Sequence, residues 1–251
     1  MHWLRSLFTL ALLGCASVAS AAAPSLGSQD FQAGVSGVAT LTLATVDTGS
    51  AIKVVHWKTS ASNRTMAITD SDGATYTLEE TSSSATCSSA TCVEIYATYG
   101  HVSNASLTVT CTQGGGAAVG FSCGAIEIQP GASGTLSLDT DSHIVEGSNV
   151  TSHVSSADST VIDTTTNVLV MAACGGSGTL GTKTAGSGYT ALTNGDPSLF
   201  WQYQSSATAL TDERGAWTSG TARACIAVIS STKETATAAV TPRGTLLGVL
   251  P

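Results

Sequence analysis

Short runs in which apolar residues alternate with serine and threonine cover most of this chain, and turn-forming residues separate them. Clear examples are VATLTLATV (Val38 to Val46), ASLTVTC (Ala105 to Cys111) and SLFWQYQSS (Ser198 to Ser206). Successive side chains of a β-strand point to opposite faces, so a period of two predicts strands with one buried face. No long amphipathic run has helical spacing, and we therefore predict an all-β fold.

The composition supports a large folded core and excludes one class of function. Hydrophobic residues make up 42% of the 251 residues and charged residues only 10%, a balance that disordered chains do not have. The formal net charge is −8, and the nine basic residues are scattered singly. Because nucleic acid binding requires a basic patch, we expect no nucleic acid partner.

The strand pattern occurs twice. The first copy runs from Ala51 to Ile128 and the second from Thr166 to Ser230, each with a buried strand, a hairpin arm, an aromatic strand and a closing strand. Two halves of about four strands bury their faces by packing on each other. We predict a single jelly-roll-like β-sandwich of two pseudo-repeated antiparallel halves over residues 38–231, between an N-terminal segment 22–37 and a C-terminal tail 232–251.

The first residues predict export. Residues 1–21 contain one arginine, an apolar run and small residues up to Ala21, which is the pattern of a signal peptide and is short for a membrane span. The sequence LLGC, which ends at Cys15, resembles a bacterial lipobox. Lipidation of Cys15 therefore remains an alternative, and the lipid would then be the only membrane attachment. Either route predicts a periplasmic, secreted or cell-surface protein.

Six cysteines follow the signal segment. An even number in an exported chain predicts disulfides, with buried free thiols as the alternative. The spacing in CSSATC does not match a zinc knuckle, and we expect no cofactor or metal. Nearness along the chain and across neighbouring strands predicts three pairs: Cys87–Cys92, Cys111–Cys123 and Cys174–Cys225.

The stretch AITDSDGATYTLEE, Ala67 to Glu80, is compatible with a calcium loop or with a tight turn. Alignment with an EF-hand loop puts Ile68 at the first ligand position, where an oxygen ligand is required. The flanking runs also predict strands, whereas an EF-hand needs helices. Asp72 and Gly73 tolerate positive φ, so we favour a hairpin turn between two strands.

The motif GFSCG, Gly120 to Gly124, matches the nucleophile elbow of serine hydrolases. The elbow needs a strand that turns sharply into a helix, so that the serine stands above the sheet. Here AIEIQPG follows Ser122 and predicts a further strand. A hydrolase would also need a histidine close to Ser122 in the folded chain.

The stretch DTDSHIVE places Asp139, Asp141 and His143 on one face of an extended strand. Three such side chains are able to hold a divalent cation. Polar residues facing solvent on an edge strand explain the same pattern, and we favour that interpretation.

Aromatic residues suggest a possible binding surface. Trp201 and Tyr203 share one face of the strand LFWQYQ, and Trp57 lies on another strand. Flat rows of aromatic rings beside amide groups suit sugars, which predicts a glycan platform if the rings are exposed and coplanar. Packing in the core is the alternative.

The order of TDSDGATYTL, VEIYATY, NVLVMAACGG, GSGYTAL, FWQYQ and TARACIAVIS resembles a Ser/Thr/Gly-rich β-sandwich module of bacterial extracellular proteins and of phage virion and tail proteins. The resemblance covers roughly Val38 to Ser231 and implies a β-sandwich without catalytic residues to transfer. Such modules usually carry D-S-x-G-N-T-Y-T-L where this chain has DSDGATYTL, and the six cysteines are a further departure.

Together these features predict an exported, non-enzymatic β-sandwich with a structural or adhesive role at a cell or virion surface. The expected partner is a surface glycan or another surface or virion protein. A carbohydrate-binding module is the alternative, and a secreted serine hydrolase is a further one. Exposed rings of Trp201 and Tyr203 would support the carbohydrate-binding module. A histidine beside Ser122 would support the serine hydrolase.

Overall fold

The computed structural model describes residues 22–58, 65–81, 92–115, 120–132, 134–153, 162–176, 178–192 and 194–237. Every regular element in these residues is a β-strand, and every pair of named strands is antiparallel. The strands form three sheets that pack as layers. The prediction of an all-β sandwich is therefore confirmed.

The middle layer is a five-stranded sheet. Its strands are β1 (Ser25–Ser36), β3 (Ala51–Lys58), β5 (Thr77–Thr81), β6 (Cys92–Thr98) and β8 (Gly120–Gln129). They lie in the order β1-β8-β3-β6-β5. All eight residues of β3 are buried, because this strand is central and both faces of the sheet are covered. A nearly continuous apolar run such as AIKVVHW suits that position.

A six-stranded sheet covers one face of the middle layer. Its strands are β9 (Thr135–His153), β10 (Val168–Gly176), β11 (Lys183–Ala185), β12 (Thr190–Ala191), β13 (Leu199–Ser206) and β14 (Trp217–Thr235). The order is β11-β14-β10-β13-β12, and β9 also pairs with β14. The core between the two sheets includes Trp57, Ile95, Met171, Trp201 and Val228.

A three-stranded sheet covers the opposite face of the middle layer. Its strands are β2 (Val38–Leu43), β4 (Thr65–Asp70) and β7 (Leu107–Gly114), in the order β2-β7-β4. Buried and exposed residues alternate strictly along β2, as its sequence predicts. This sheet is an extra layer that the periodicity does not reveal, because alternation shows that a face is buried but not which sheet covers it.

The two large sheets share a strand order. Strands β8-β3-β6-β5 of the middle sheet correspond in position to β14-β10-β13-β12 of the six-stranded sheet. Strand β1 flanks β8 just as β9 flanks β14. Along the chain, each set contains a buried strand, a hairpin arm, an aromatic strand and a closing strand in that order. This is the order predicted for one half of the fold. The pseudo-repeat in the sequence itself stays a prediction.

The folded region extends beyond residues 38–231 at both ends. Strand β1 lies within the predicted N-terminal segment 22–37 and pairs with β8, and β14 continues to Thr235. The alternation misses β1 because its pairing with β8 shifts register twice, between Leu26 and Gln29 and again between Gln32 and Val35. Such irregularities break a period of two in the sequence.

Candidate functional site

Ser122 does not stand on a nucleophile elbow. Strand β8 continues through it without a sharp turn, and its side chain is fully buried. Its hydroxyl donates to the Asp196 carboxylate and accepts a hydrogen bond of 3.2 Å from the Gly34 N–H. These contacts give the serine a packing role, and neither of them is the histidine that a hydrolase needs.

The predicted row of exposed aromatic rings does not form. Trp201 and Trp57 are buried between the two large sheets, and Tyr203 packs partly buried against the same core. Gly175 lies against the Trp57 ring and Gly124 against the Trp201 ring, so closely that a Cβ at either glycine would overlap the indole. Strand glycines thus make room for both indoles inside the core. The platform prediction is wrong for these two tryptophans.

Asp139 and Asp141 do not share one ion site. The residues on either side of Asp139 pair with consecutive residues of β14, which makes Asp139 the extra residue of a β-bulge. Its carboxylate lies 3.4 Å from Lys233 Nζ and 3.4 Å from Ser231 Oγ. Asp141 instead pairs with the residue before Ser231, on the other face of β14. The bulge therefore separates the two carboxylates.

No group of three His, Cys, Asp or Glu side chains within the described part of the chain is placed to hold a metal. The side chain of His143 lies outside what the structure describes. Burial first, and then the negative charges of the two glutamates of β5, raise the pKa of Asp141. Among the described strands β9 pairs only with β14, which agrees with an edge strand, but the Asp139 side chain is 4% exposed and does not face solvent as expected.

The segment Asp70 to Gly73 is a turn. Gly73 has φ 76°, and its N–H donates to the Asp70 carbonyl at 3.2 Å. One Asp70 carboxylate oxygen accepts the N–H groups of Asp72 at 3.0 Å and of Ala74 at 2.9 Å. The expectation of a hairpin is wrong, because the turn leads from β4 in the three-stranded sheet to β5 in the middle sheet. It connects two layers.

The second carboxylate oxygen of Asp70 is also occupied. It accepts the Tyr76 hydroxyl at 3.0 Å and lies 3.1 Å from Nε2 of His101. Burial works to raise the pKa of Asp70, but hydrogen bonds from Ala74, His101 and Tyr76 together outweigh it and lower this pKa. Protein donors thus use both oxygens, which leaves the carboxylate poorly suited to calcium.

Two of the three predicted cysteine pairs lie within the described residues, and both are disulfides in the structure. Cys111–Cys123 joins β7 to β8 with a Cα–Cα distance of 6.7 Å. Cys174–Cys225 joins β10 to β14 with a Cα–Cα distance of 5.9 Å. The pair Cys87–Cys92 lies outside the described residues because Cys87 does, and so does the possible lipidation site Cys15.

A buried ion pair lies between the two large sheets. Lys53 on β3 is fully buried, and its Nζ is 2.8 Å from Oε2 of Glu79 on β5. The same Nζ donates to Ser230 Oγ on β14 at 2.6 Å, and this hydroxyl donates to Glu79 Oε2 at 2.8 Å. An unpaired charge here would be costly, and these bonds compensate both charges.

Tyr99, just after β6, is attached to this ion pair. Its hydroxyl donates to Oε1 of Glu79. Burial, followed by the negative charge of Glu79, raises the pKa of Tyr99, so the phenol stays a protonated donor. Because Lys53 and Ser230 hold the glutamate from the other side, the position of the Tyr99 ring is fixed from within the core.

A cleft of about 460 Å³ lies directly outside this network. It lies between β5 and β9, which among the described strands pair only with β6 and with β14 respectively. Its walls include Thr77, Leu78, Glu79, Thr98, Tyr99 and Leu138. The leucine side chains are 39% exposed at Leu78 and 36% exposed at Leu138. The cleft therefore combines hydroxyl groups, two apolar side chains and one anchored aromatic ring.

The sequence did not predict this cleft, although Thr77, Leu78 and Glu79 belong to the stretch Ala67 to Glu80 that was compared with a calcium loop. One signal was available: Lys53 interrupts the apolar run AIKVVHW, and a lysine inside a buried strand requires a partner. Its partners cannot be found from spacing, because Ser230 lies 177 residues away along the chain.

No protein-family model matches the chain, and neither a curated protein nor a solved structure is detectably similar to it. Within the described ranges, no helix is long and apolar enough to cross a membrane. Because fold alone does not specify function, the geometry and chemistry of the sites are the evidence for what the protein does.

Proposed function

We propose that this protein is an exported, non-enzymatic β-sandwich with a structural or adhesive role at a cell or virion surface. The N-terminal residues 1–21 support export, and three tightly packed layers suit a load-bearing or ligand-presenting scaffold. Disulfides are more typical of extracellular proteins than of cytosolic ones.

The observation that carries the proposal is the placement of the Cys111–Cys123 disulfide. It links the outer three-stranded sheet to the middle sheet, and both cysteines are fully buried in the core between these layers. A covalent link between layers is stable only where thiols are not kept reduced. The proposal therefore places the folded protein outside the cytosol.

A structural role has more support than a hydrolytic one. The Ser122 hydroxyl is buried and bonded to Asp196 and Gly34, so it is not available to a substrate. The polar groups of Lys53, Glu79 and Ser230 satisfy one another inside the sandwich.

Expression of the full chain in a bacterial host tests export. We expect a product that begins near Ala22, or at Cys15 if that residue is lipidated, in the periplasmic, surface or secreted fraction and with oxidised cysteines. A variant that lacks residues 1–21 serves as the control and should stay in the cytosol. Recovery of an intact Met1 terminus from the secreted fraction would contradict the proposal.

Surface attachment is tested separately with the purified exported chain. Adhesion predicts saturable binding of the labelled protein to cells or virions, and a Cys15→Ala variant separates lipid anchoring from adhesion. A chain that is exported but neither binds nor assembles on any such surface would contradict the adhesive role.

A further inference from the structure

We propose that the cleft between β5 and β9 is a binding site for a neutral oligosaccharide. This inference rests on the proposed surface role and assigns it a ligand class. The aromatic ring that contacts the sugar is Tyr99, and not the buried Trp201 or Trp57.

Size and composition suit this ligand. A cleft of about 460 Å³ lies within the range of roughly 300–1,000 Å³ that small ligands occupy. A sugar ring has hydroxyl groups around its rim and C–H groups on its faces. The threonines at 77 and 98 offer hydroxyl donors and acceptors, while Leu78, Leu138 and the Tyr99 ring offer apolar contact.

The exposed leucines are a second observation. The described part of the chain has four large hydrophobic residues counted as exposed, and two of them, Leu78 and Leu138, line this cleft from opposite sheets. Both leucines are partly open to solvent and border the cleft, so its rim has apolar surface on two strands. Exposed apolar surface next to polar groups is typical of binding sites.

The buried network explains why Tyr99 is ready to bind. Its hydroxyl is held by Glu79, and Glu79 is held by Lys53 and Ser230. A ring that is already fixed loses little side-chain entropy when a ligand stacks on it. Replacing a buried ion pair with apolar residues is often neutral or stabilising, so this polar network has a rationale beyond stability.

Charge favours a neutral ligand over an anionic one. Among the described residues that line the cleft, Glu79 is the charged one, and none of them carries a basic side chain. An acidic sugar would therefore meet a carboxylate without a lining cation to pair with. A cationic ligand gains little from Glu79, because both of its oxygens already accept hydrogen bonds from Lys53, Ser230 and Tyr99.

The test begins with the intact exported chain on an array of neutral and sialylated glycans. The strongest neutral glycan is then titrated by calorimetry against the double variant Leu78→Ser/Leu138→Ser. Both side chains are exposed, so the fold should be kept, and we expect binding at least about tenfold weaker. The matched control is Val102→Ser, another exposed apolar residue, which should bind like the parent chain.

Tyr99→Ala should abolish measurable binding. Tyr99→Phe keeps the ring but loses the hydroxyl that donates to Glu79, and it should bind the glycan more weakly than the parent chain. Tyr189→Phe is its control, because the Tyr189 hydroxyl donates to Glu213 at 2.8 Å in the same manner away from the cleft walls. If the two Phe variants melt at the same temperature and only Tyr99→Phe loses affinity, a general loss of stability is excluded as the cause.

Three outcomes would overturn the proposal: no neutral glycan is retained, sialylated glycans are preferred, or the leucine variant binds like the parent. If the protein binds no glycan on the array but binds extended peptides, the cleft would instead be a site where a peptide strand pairs with an edge strand. In each case an exported chain that still binds a surface leaves the proposed function intact. Retention of the chain in the cytosol would instead contradict the proposed function.

Discussion

At the scale of single residues, Asp70 organises the connection between two layers. Its carboxylate accepts two N–H groups of its own turn, as well as the Tyr76 hydroxyl, and it faces the His101 ring. The Asp70 side chain is fully buried, so water cannot take over as acceptor if a substitution removes a carboxylate oxygen. The acidic residue that suggests a calcium loop in the sequence is a structural cap in the folded chain.

Asp70→Asn should lower the free energy of unfolding by about 1–3 kcal/mol near neutral pH, because an amide accepts fewer hydrogen bonds. The folded-state pKa of Asp70 is lowered, so its stabilisation is complete above the ordinary pKa of about 3.9. It is lost as the pH falls through the lower folded value. Thermal melts from pH 2 to pH 7 should therefore show the two proteins converging at the acid end.

Asp72→Asn is the control for this comparison, because Asp72 lies in the same turn with its side chain 25% exposed. Its effect should be small at all pH values. A stability difference for Asp70→Asn that stays constant down to pH 2 would contradict the assigned role.

At the scale of the elements, glycines inside strands determine where the large aromatic residues go. Gly124 in β8 and Gly175 in β10 each lie under an indole ring of the facing sheet. Trp201 also packs against Phe31 of β1, with ring centroids 5.7 Å apart. A strand glycine opposite a tryptophan leaves space for the indole ring, so the two sheets pack close together.

Gly124→Ala should lower the free energy of unfolding by about 1–3 kcal/mol, because the new methyl group overlaps the Trp201 ring. Gly120→Ala in the same strand is the matched control, since its Cβ would meet nothing within 4 Å. Urea denaturation of both variants measures the difference. Equal midpoints would show that the sheets relax without cost and would contradict the tight fit.

At the scale of the whole molecule, polar and covalent links join layers that apolar packing already holds. The Lys53–Glu79 pair and Ser230 connect the two large sheets, and the Cys111–Cys123 disulfide connects the middle sheet to the three-stranded one. Every layer is thereby tied to another by a specific bond. Separating the buried ion pair would leave a charge uncompensated in the core, so arrangements of the sheets that part Lys53 from Glu79 are disfavoured.

Lys53→Met should destabilise the protein by about 3–5 kcal/mol, because Glu79 is then left buried without its cation. The double change Lys53→Met/Glu79→Leu should recover part of this loss. Lys233→Met is the control: its ion pair with Asp139 is partly exposed, and its loss should cost at most about 1 kcal/mol. Guanidinium denaturation measures all three, and a control as damaging as Lys53→Met would contradict the interpretation.

The two described disulfides should differ in their contribution. Cys174–Cys225 spans 51 residues and Cys111–Cys123 spans 12. In the chain-entropy model these loops correspond to about 4 and about 3 kcal/mol. Paired Cys→Ser variants should therefore rank in that order in denaturant melts. Non-reducing peptide mapping checks the connectivity, and free thiol at Cys174 would refute the longer bridge.

Local patterns in the sequence were sufficient to determine that the chain is built from strands. A period of two reports which side chains share a face, and this depends only on neighbours along the chain, as in β2. Turn chemistry at Gly73 is local in the same way. The disulfide between β7 and β8 was also predictable from the sequence, because its cysteines are 12 residues apart.

The tertiary structure alone decided what covers each face. Alternation of apolar and polar residues is the same for a ring that faces a ligand and for a ring that faces another sheet. The sequence therefore does not show that the Trp201 ring packs on Gly124 of the middle sheet. The bulge at Asp139 likewise depends on pairing with a distant strand. Lys53 and Glu79 meet Ser230 only when two sheets stack, because such contacts join residues far apart in the chain and leave no periodic signal in it.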